Sequence, residues 1–382
     1  MIVIIISSII AVLLSLIAGY TSLKQCLKIA FILLTVVACI HYNYGNDYIA
    51  YYETWSVISN TSLTKCLTGN SGIFPDGVRP DIGWIVINKL FSFTGGFYCL
   101  VAFISIFENV IYFNLIKSLA PRKWWWLAVF VYLFNYRFYV LNFSMLRQGL
   151  TICLGILSLY CFEKKRYIST VLLLVIACSI HISALVLIPV FIACKIAASN
   201  VRRTVKILSI VTIVLFASTS VATRIFSILI ENGVFSKYKQ LYAGWTASGS
   251  YGLGFLLIVS QYVLMLCFLY FYEEADDSLF VLKKTNCIAN RQRMLILIAY
   301  SAFLVKPFEV IGAALVSRLS FYFSVFDIAV LPWIYSKMNM RLIKVFLVVM
   351  LITVTLYSYY GFWVNPVYQK HFTIFHTVFE AL

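Results

Sequence analysis

Residues 1–19 read MIVIIISSIIAVLLSLIAG and contain no charged side chain. An α-helix of about 20 apolar residues crosses a bilayer core of about 30 Å, so this stretch is long enough to span a membrane. It lacks a basic region at its start and a cleavage site of small residues, which indicates a retained helix rather than a signal peptide. The first stretch of the chain therefore predicts a membrane protein.

Apolar stretches recur along all 382 residues, of which 62% are hydrophobic and only 12% are charged, with a mean hydropathy of +0.93. An ordinary soluble domain is about 45–50% apolar and about 25% charged. We therefore predict an all-α polytopic membrane protein, with residues 1–382 forming a single integral membrane domain. The apolar runs predict about twelve transmembrane or re-entrant helices in one bundle (at least ten), near residues 1–19, 29–41, 97–116, 124–143, 148–162, 167–180, 182–197, 205–222, 252–272, 294–312, 319–335 and 342–361.

The formal net charge of +16 does not favour nucleic-acid binding, because the basic residues lie in short turns between apolar runs. In a membrane protein such turns face the cytoplasm. The predicted cytoplasmic clusters are Lys24/Lys28, Lys117/Arg122/Lys123, Lys164/Lys165/Arg166, Lys195/Arg202/Arg203/Lys206, Lys283/Lys284/Arg291/Arg293 and Lys337/Arg341/Lys344. Loops 42–96 and 223–251, the tail from Phe362 and both termini are then extracytoplasmic. Segments 47–59 and 82–93 in the first loop are predicted to form short interfacial helices.

The apolar stretch from Tyr167 to Cys194 fits one long tilted helix or two short ones. As a single helix it would be about 42 Å long, more than one untilted crossing needs. Basic clusters at both ends favour two helices. They predict a hairpin that reaches up from the cytoplasm, with His181 near its tip.

The ten cysteines lie mostly inside apolar segments, and no CxxC pair or Cys/His spacing of a metal site is present. We interpret them as small hydrophobic residues. No metal site is predicted.

A first polar cluster follows the second apolar run. On a helix, Asp47, Tyr51 and Trp55 share one face, and Tyr48 and Tyr52 share the next. A carboxylate beside aromatic rings is an arrangement that binds sugars by hydrogen bonds and ring stacking. The alternative is an aromatic belt at the membrane interface, with Asp47 as a helix N-cap.

A second cluster contains Arg79 and Asp81, just before a predicted amphipathic helix. A guanidinium at a helix entrance near lipid headgroups suits a phosphate. A solvated loop Arg and a simple N-cap Asp are the alternatives.

A third cluster has the spacing i, i+3, i+4 and i+7, with Ser144, Arg147, Gln148 and Thr151 at the outer end of the fifth predicted helix. Such a polar stripe must face the bundle or a cavity. Arg147 can bind a pyrophosphate through two nitrogens, or it can extend to the interface as membrane arginines do. Further polar residues stand in the outer half of the fourth helix: Asn135, Arg137 and Asn142.

A fourth cluster pairs His181 and Ser183, at the predicted hairpin tip, with Ser317, Arg318 and Tyr322. An intramembrane His is either a hydrogen-bonded structural residue or part of a site. Lys306 and Glu309, at i and i+3, are interpreted as a structural ion pair first.

In this order and spacing, five motifs resemble the EpsG-type polysaccharide polymerases, which are similar to the O-antigen polymerases called Wzy. The motifs are Gly-x-Asp-Tyr-x-x-Tyr-Tyr (45–52), Asp-x-Gly-Trp (81–84), Leu-Arg-Gln-Gly (146–149), His-Ile-Ser-Ala-Leu (181–185) and Ser-Arg-x-x-x-Tyr (317–322). They cover roughly residues 41–335. Two positions depart from the pattern: His41 and Tyr42 stand where members often carry Arg, and Asp81 stands where Glu is usual.

The resemblance implies a GT-C-like glycan polymerase in the bacterial cytoplasmic (inner) membrane. It would transfer a growing glycan from undecaprenyl pyrophosphate to the non-reducing end of a lipid-linked repeat unit, on the outer face. The product would be a lipopolysaccharide O-antigen, a capsule or an exopolysaccharide. Both lipid-linked oligosaccharides and membrane lipids are then partners, a chain-length regulator is a further candidate, and neither a cofactor nor a metal is expected.

The resemblance also implies roles for individual residues. Arg147 and Arg318, with Arg79 as a third candidate, would bind the pyrophosphate. Asp47 or His181 would be the base. The predicted substrate contacts are Asp81, Arg137, Gln148, Ser183, Tyr322 and the tyrosines at 44, 48, 51, 52, 238, 242 and 251.

Three other functions remain open from the sequence. A ligase differs from a polymerase only in its acceptor. A flippase or other transporter should line a two-sided cavity with polar residues, whereas this chain concentrates them on one side. A membrane O-acyltransferase would keep its donor-binding residues at the cytoplasmic face.

Overall fold

The computed structural model describes residues 1–75, 77–217, 259–269, 286–305 and 318–380. Most of these residues are helical. The helices are α1 (Ile2–Tyr20), α2 (Gln25–Cys39), α3 (Tyr48–Asn60), α4 (Leu63–Thr68), α5 (Ile82–Thr94), α6 (Gly96–Leu119), α7 (Trp125–Phe134), α8 (Tyr139–Asn142), α9 (Leu146–Glu163), α10 (Tyr167–Ile180), α11 (Leu187–Ala197), α12 (Val201–Ala217), α13 (Val259–Leu269), α14 (Asn286–Leu304), α15 (Phe321–Ser324), α16 (Asp327–Lys337), α17 (Arg341–Val364) and α18 (Pro366–Phe372). Two short strands, β1 (His41–Tyr42) and β2 (His376–Thr377), pair antiparallel.

Three described helices are long and apolar enough to cross a bilayer, namely α1, α6 and α17. Shorter apolar helices accompany them, including α2, α5, α10 and α13. These helices are consistent with the predicted all-α multi-pass membrane class. The count of twelve and the GT-C-like architecture stay predictions.

Helix α1 packs through small side chains and presents its large ones outward. Its buried face includes Ser8, Ala11, Ser15 and Ala18, whereas most of its Ile and Leu residues are partly or largely exposed. Lipid tails are as apolar as Leu, so membrane helices associate by close packing of small residues. The stretch that predicted the membrane class therefore forms a helix with an apolar outer surface and a small-residue interface to α2 and α7.

Predicted and observed boundaries agree best around His181. Residues 167–180 form α10 as predicted, and the chain becomes extended at His181 before a short 3-10 helix, Ile182–Val186, and α11. The choice of two helices over one long helix is confirmed. The predicted helix over 124–143 is instead interrupted after Phe134 and resumes only as the short α8.

Contacts divide the chain into two compact units, and the single domain over 1–382 stays a prediction. The first unit contains residues 1–185, 331–336 and 355–382. Within it, α1 packs on α2 and α7, α6 packs on α2 and α9, and α5 contacts α3, α6 and α10. Segments 47–59 and 82–93 are helical as predicted, as α3 and α5.

The second unit contains residues 186–330 and 337–354. Its described core lies along α14, which contacts α11, α12 and α15. Ile298, Ala299 and Tyr300 of α14 are fully buried, and the ring of Tyr262 stacks on Phe303 at 4.7 Å. Loop 223–251, the Lys306/Glu309 pair, Ser317 and the tyrosines at 238, 242 and 251 lie outside the described residues.

Hydrogen bonds at the two ends of α1 identify the segments of the first unit that lie near each end of this helix. The amino group of Met1 donates a hydrogen bond to the carbonyl oxygen of Thr373 at 2.8 Å. At the other end, Arg122 donates to the carbonyl oxygens of Ala18 and Thr21. The basic turn around Arg122 and the tail around Thr373 therefore lie at opposite ends of the helix, as the charge pattern predicts.

His41 lies in β1 rather than inside a helix, because α2 ends at Cys39. Its ring is buried against Tyr48 and Phe143, and its Nδ1 lies 2.5 Å from the carbonyl oxygen of Ala38. A carbonyl oxygen only accepts, so Nδ1 carries the hydrogen. Burial lowers the pKa of His41 to about 4 from its ordinary 6.5. The imidazole is therefore neutral in the folded protein.

The sidedness can be tested with topology reporters fused at two exposed lysines, Lys123 and Lys370. We expect a phosphatase reporter to be active at Lys370 and inactive at Lys123, and a cytoplasmic reporter to give the reverse. The same activity at both sites would contradict the arrangement of the first unit.

Acid should destabilise the protein through His41. Below pH 6.5 the unfolded chain takes up a proton at this residue, whereas the folded protein does not until about pH 4, so stability is lost as the pH falls through that window. Acidification from pH 7.5 to 5 should cost about 2 kcal/mol through this group. We expect a lower melting temperature in detergent, with a smaller decline for His41→Gln. Equal declines would refute the assignment.

Candidate functional site

Four of the five motifs meet in the first unit. The first of these contacts is between the segment at Gly45 and Ser144. Gly45 has φ of +106°, and a Cβ atom at this position would lie 2.6 Å from Cβ of Ser144. The backbone N–H of Asp47 donates to Oγ of Ser144 at 3.0 Å. Ser144 precedes α9 rather than lying on it, so it is not part of the predicted helical stripe. The first motif is therefore fastened to the residue that introduces Leu-Arg-Gln-Gly.

Arg147 lies over an aromatic surface. Its guanidinium carbon is 5.7 Å from the ring centre of Tyr51, and the Tyr51 ring makes an edge contact with Trp84 at 5.5 Å. A cation held over a ring face keeps its charge and remains able to bind an anion. Arg147 is half-buried, whereas Gln148 and Thr151 are buried inside the protein. The prediction that these two stripe residues face the bundle is confirmed.

Asp81 and His181 lie side by side. The Oδ2 atom of Asp81 is 3.8 Å from Nδ1 of His181, and their side chains are 14% and 17% exposed. The helices that carry them approach closely, since a Cβ at Gly83 would lie 2.8 Å from the carbonyl carbon of Ser179. The Gly of the Asp-x-Gly-Trp motif therefore allows α5 to contact the end of α10.

Neither aspartate caps its helix through its side chain. Asp47 and Asp81 occupy the N-cap positions of α3 and α5, but neither carboxylate makes a cap hydrogen bond. The alternative interpretation of both residues as simple N-caps is therefore wrong. The carboxylate of Asp81 lies beside His181 instead.

Arg79 binds the chain itself. Its two terminal nitrogens donate to the carbonyl oxygens of Leu67 and Gly69, at 2.6 and 2.5 Å. Lys89 acts in the same way on the end of α3, where its ammonium donates to the carbonyl oxygens of Ile58, Ser59 and Thr61. Both cations thus stabilise the first loop, which leaves Arg79 fewer donors for a phosphate.

Several predicted contact residues are buried. Tyr48, Gln148, Ser183 and Tyr322 are at most 6% exposed, and Tyr44 is 0% exposed. Tyr44 and Tyr48 therefore pack in the core. The prediction that they line an accessible glycan path is wrong. Tyr52, at 39%, remains exposed, and Arg137 lies over the ring of Tyr136 at 5.9 Å.

Arg318 and Tyr322 belong to the second unit. Arg318 is half-buried, and Tyr322 lies in α15. Their participation in the site stays a prediction from the sequence.

Sequence reasoning missed Glu108. This carboxylate lies within α6, is 4% exposed, and occupies the space beside Gly149. The available signal was a single acidic residue inside the apolar run 97–116, which is unusual at membrane depth.

No group of three or more His, Cys, Asp or Glu side chains is close enough to hold a metal ion within the described parts of the chain. The chemically active groups that the structure brings together are thus a guanidinium, aromatic rings, and a carboxylate beside an imidazole. A guanidinium can bind an anion through two nitrogens, and an imidazole beside a carboxylate can transfer a proton.

The sequence profile of the EpsG family matches residues 24–374. The chain belongs to the EpsG family. This EpsG-family protein is accordingly a polysaccharide polymerase-type membrane protein, of the glycosyltransferase class. The resemblance inferred from the five motifs is confirmed. Searches of curated proteins and of solved structures find no match to the chain.

Gly83→Ala should lower polysaccharide synthesis by the EpsG-family protein without lowering the abundance of the protein. The added methyl group would overlap the backbone at Ser179, and the resulting shift should separate Asp81 from His181. A misplacement of about 1 Å can cost about 100-fold in rate, so we expect at least a tenfold loss of long-chain polysaccharide in complemented deletion cells.

Gly361→Ala is the matched control, because its Cβ would meet nothing within 4 Å. Both variants are compared at equal protein abundance. Normal polymer from Gly83→Ala would show that the close approach of α5 and α10 is not needed.

Proposed function

We propose that this EpsG-family protein transfers a growing glycan from undecaprenyl pyrophosphate to the non-reducing end of a lipid-linked repeat unit, on the outer face of the cytoplasmic membrane. The observation that carries the proposal is the convergence of Arg147, Tyr51, Trp84, Asp81 and His181 from four motifs within one unit. One cation, one imidazole–carboxylate pair and an aromatic surface are the parts that this reaction requires.

The leaving group sets the first requirement. The acceptor hydroxyl oxygen attacks the anomeric carbon of the donor, the bond from that carbon to the pyrophosphate oxygen breaks, and its electron pair leaves with undecaprenyl pyrophosphate. Negative charge therefore develops on a phosphate oxygen. Arg147 is assigned to this charge, because a guanidinium stays protonated in a low-dielectric site and binds phosphate through two nitrogens. Arg318 is the second candidate ligand, on its motif alone.

A base must take the proton of the acceptor hydroxyl. The Asp81–His181 contact supports His181, because a neighbouring carboxylate stabilises the imidazolium formed when the ring accepts a proton. At 3.8 Å the contact is longer than a hydrogen bond, and such contacts often shorten when substrate binds. Asp47, beside Tyr51, is then assigned to the sugar hydroxyls, and Asp81 orients the base.

The glycan is assigned to the aromatic side chains. Tyr51 lies between Arg147 and Trp84, and Tyr52 is exposed on the same helix. Aromatic faces stack on the apolar faces of sugar rings and leave their hydroxyls free for hydrogen bonds. A sugar bound there would lie beside the cation that holds its pyrophosphate. This arrangement couples recognition of the glycan to recognition of the carrier.

Substitution of the site arginine tests the proposal. Arg147→Ala should abolish long-chain polymer and leave carriers bearing one repeat unit, and Arg147→Lys should lose at least tenfold because a Lys ammonium cannot bind bidentately. Arg166→Ala is the control. This exposed Arg lies between the end of α9 and the start of α10, whereas Arg147 lies at the start of α9 and His181 follows the end of α10. Transfer by the purified protein should also persist in excess chelator.

Two outcomes would overturn this assignment. Polymer made by Arg147→Ala at normal protein abundance would remove the pyrophosphate role. Repeat units accumulating on the cytoplasmic leaflet of deletion cells would indicate a flippase instead of a polymerase.

A further inference from the structure

Glu108 is a carboxyl group at membrane depth that the proposed reaction does not use. It lies within α6, a candidate membrane span, and is 4% exposed. A buried carboxyl group is costly unless other interactions compensate for it. Packing alone would be served better by an apolar side chain. Its presence therefore calls for a role.

The carboxyl group of Glu108 fills the space beside Gly149. A Cβ atom at position 149 would overlap Oε1 of Glu108, and it would lie 3.1 Å from Cδ of Glu108 and 3.2 Å from Oδ1 of Asn142. The neighbouring side chains of Asn142, Gln148 and Thr151 are buried, so the carboxyl group has little room to move. The last residue of Leu-Arg-Gln-Gly is thus in direct contact with α6.

The first turn of α9 has no capping side chain of its own, so contacts with neighbouring helices hold it in place. No side chain caps this helix at its N-cap, Met145, and α6 is one of its packing partners. Oε1 of Glu108 is also buried and accepts no hydrogen bond from the described residues. The contact of Glu108 with the motif is one of position and shape.

We propose that Glu108 is a positioning residue for the glycosyl transfer: by contacting Gly149, it fixes the first turn of α9 and so the placement of Arg147 over Tyr51. This inference rests on the proposed function, in which Arg147 binds the pyrophosphate. Arg147 stands two residues before Gly149 in the same helical turn, so a displacement of Gly149 is transmitted to it. The effect should appear in the rate of transfer, because charge on the pyrophosphate grows as the bond breaks.

A double-mutant cycle tests this contact. Glu108→Ala, Gly149→Ala and the double variant are purified in detergent, and initial rates of transfer are measured against the concentration of lipid-linked repeat unit. We expect each single variant to lower kcat at least tenfold with KM within about threefold. In the double variant the methyl group occupies the space of the removed carboxyl group, so its kcat should be no lower than that of either single variant.

Two further variants separate positioning from general stability. Glu108→Gln keeps the shape of the side chain and should retain kcat within about threefold. Ile104→Ala makes a cavity at a fully buried residue one turn away on α6, so it should lower the melting temperature while kcat per folded protein stays normal. Multiplicative losses in the cycle, or equal kcat for Glu108→Ala and the wild type, would overturn the inference.

The melting temperatures of the wild type, the two single variants and the double variant test the contact independently of catalysis. If the wild type transfers no glycan, or if Arg147→Ala transfers normally, the proposed function fails. In either case, non-additive melting temperatures would still support the Glu108–Gly149 contact, and additive ones would refute it. If the single variants do not fold, Glu108→Gln combined with Gly149→Ala supplies the second comparison, and normal kcat in that protein would refute the contact.

Discussion

The site depends on how closely the backbone at three motif glycines approaches neighbouring residues. Gly45 approaches Ser144, Gly83 approaches the backbone at Ser179, and Gly149 approaches the carboxyl group of Glu108. In each case a Cβ atom would come closer than packed atoms allow. Membrane helices have no hydrophobic force that favours protein over lipid, so contacts of this kind carry much of their association. The glycines of the motifs are thus the points at which the chain is brought together around Arg147 and the Asp81–His181 pair.

The sequence predicted the local features of the fold well, since they follow from apolar periodicity and from short-range signals. The membrane class, the limits of α10 and the break at His181 all depend on neighbouring residues in the chain. The interruption after Phe134 was not predicted, because Asn135 and Arg137 were interpreted as polar residues within a helix, whereas Oδ1 of Asn135 accepts a hydrogen bond from the backbone N–H of Arg137 at the break. Ser144 was assigned to α9 from its spacing to Arg147 and Gln148, but the helix begins only at Leu146.

The candidate site was predicted as a set of residues but not as a set of contacts. Spacing identified Arg147, Asp81 and His181, but it could not show that Tyr48 is buried or that Arg79 binds two carbonyl oxygens. It also could not show the importance of Glu108, whose partner is 41 positions away at Gly149. The net charge of +16 likewise includes cations that stabilise helix ends, such as Lys89 and Arg122. Lys89 lies over the ring of Phe93 on its own helix, whereas Arg147 lies over the ring of Tyr51 in another motif.

The pairing of β1 with β2 bears on how the protein is made. His41 and Tyr42 follow the second helix, but their strand partners, Thr377 and His376, are translated more than three hundred residues later. At about 5–20 residues per second, a ribosome needs on the order of 20–60 s to cover that distance. The segment that holds the first motif must therefore wait at the membrane, incompletely paired, while the later helices are inserted. The strand beside the first motif is thus completed only near the end of synthesis.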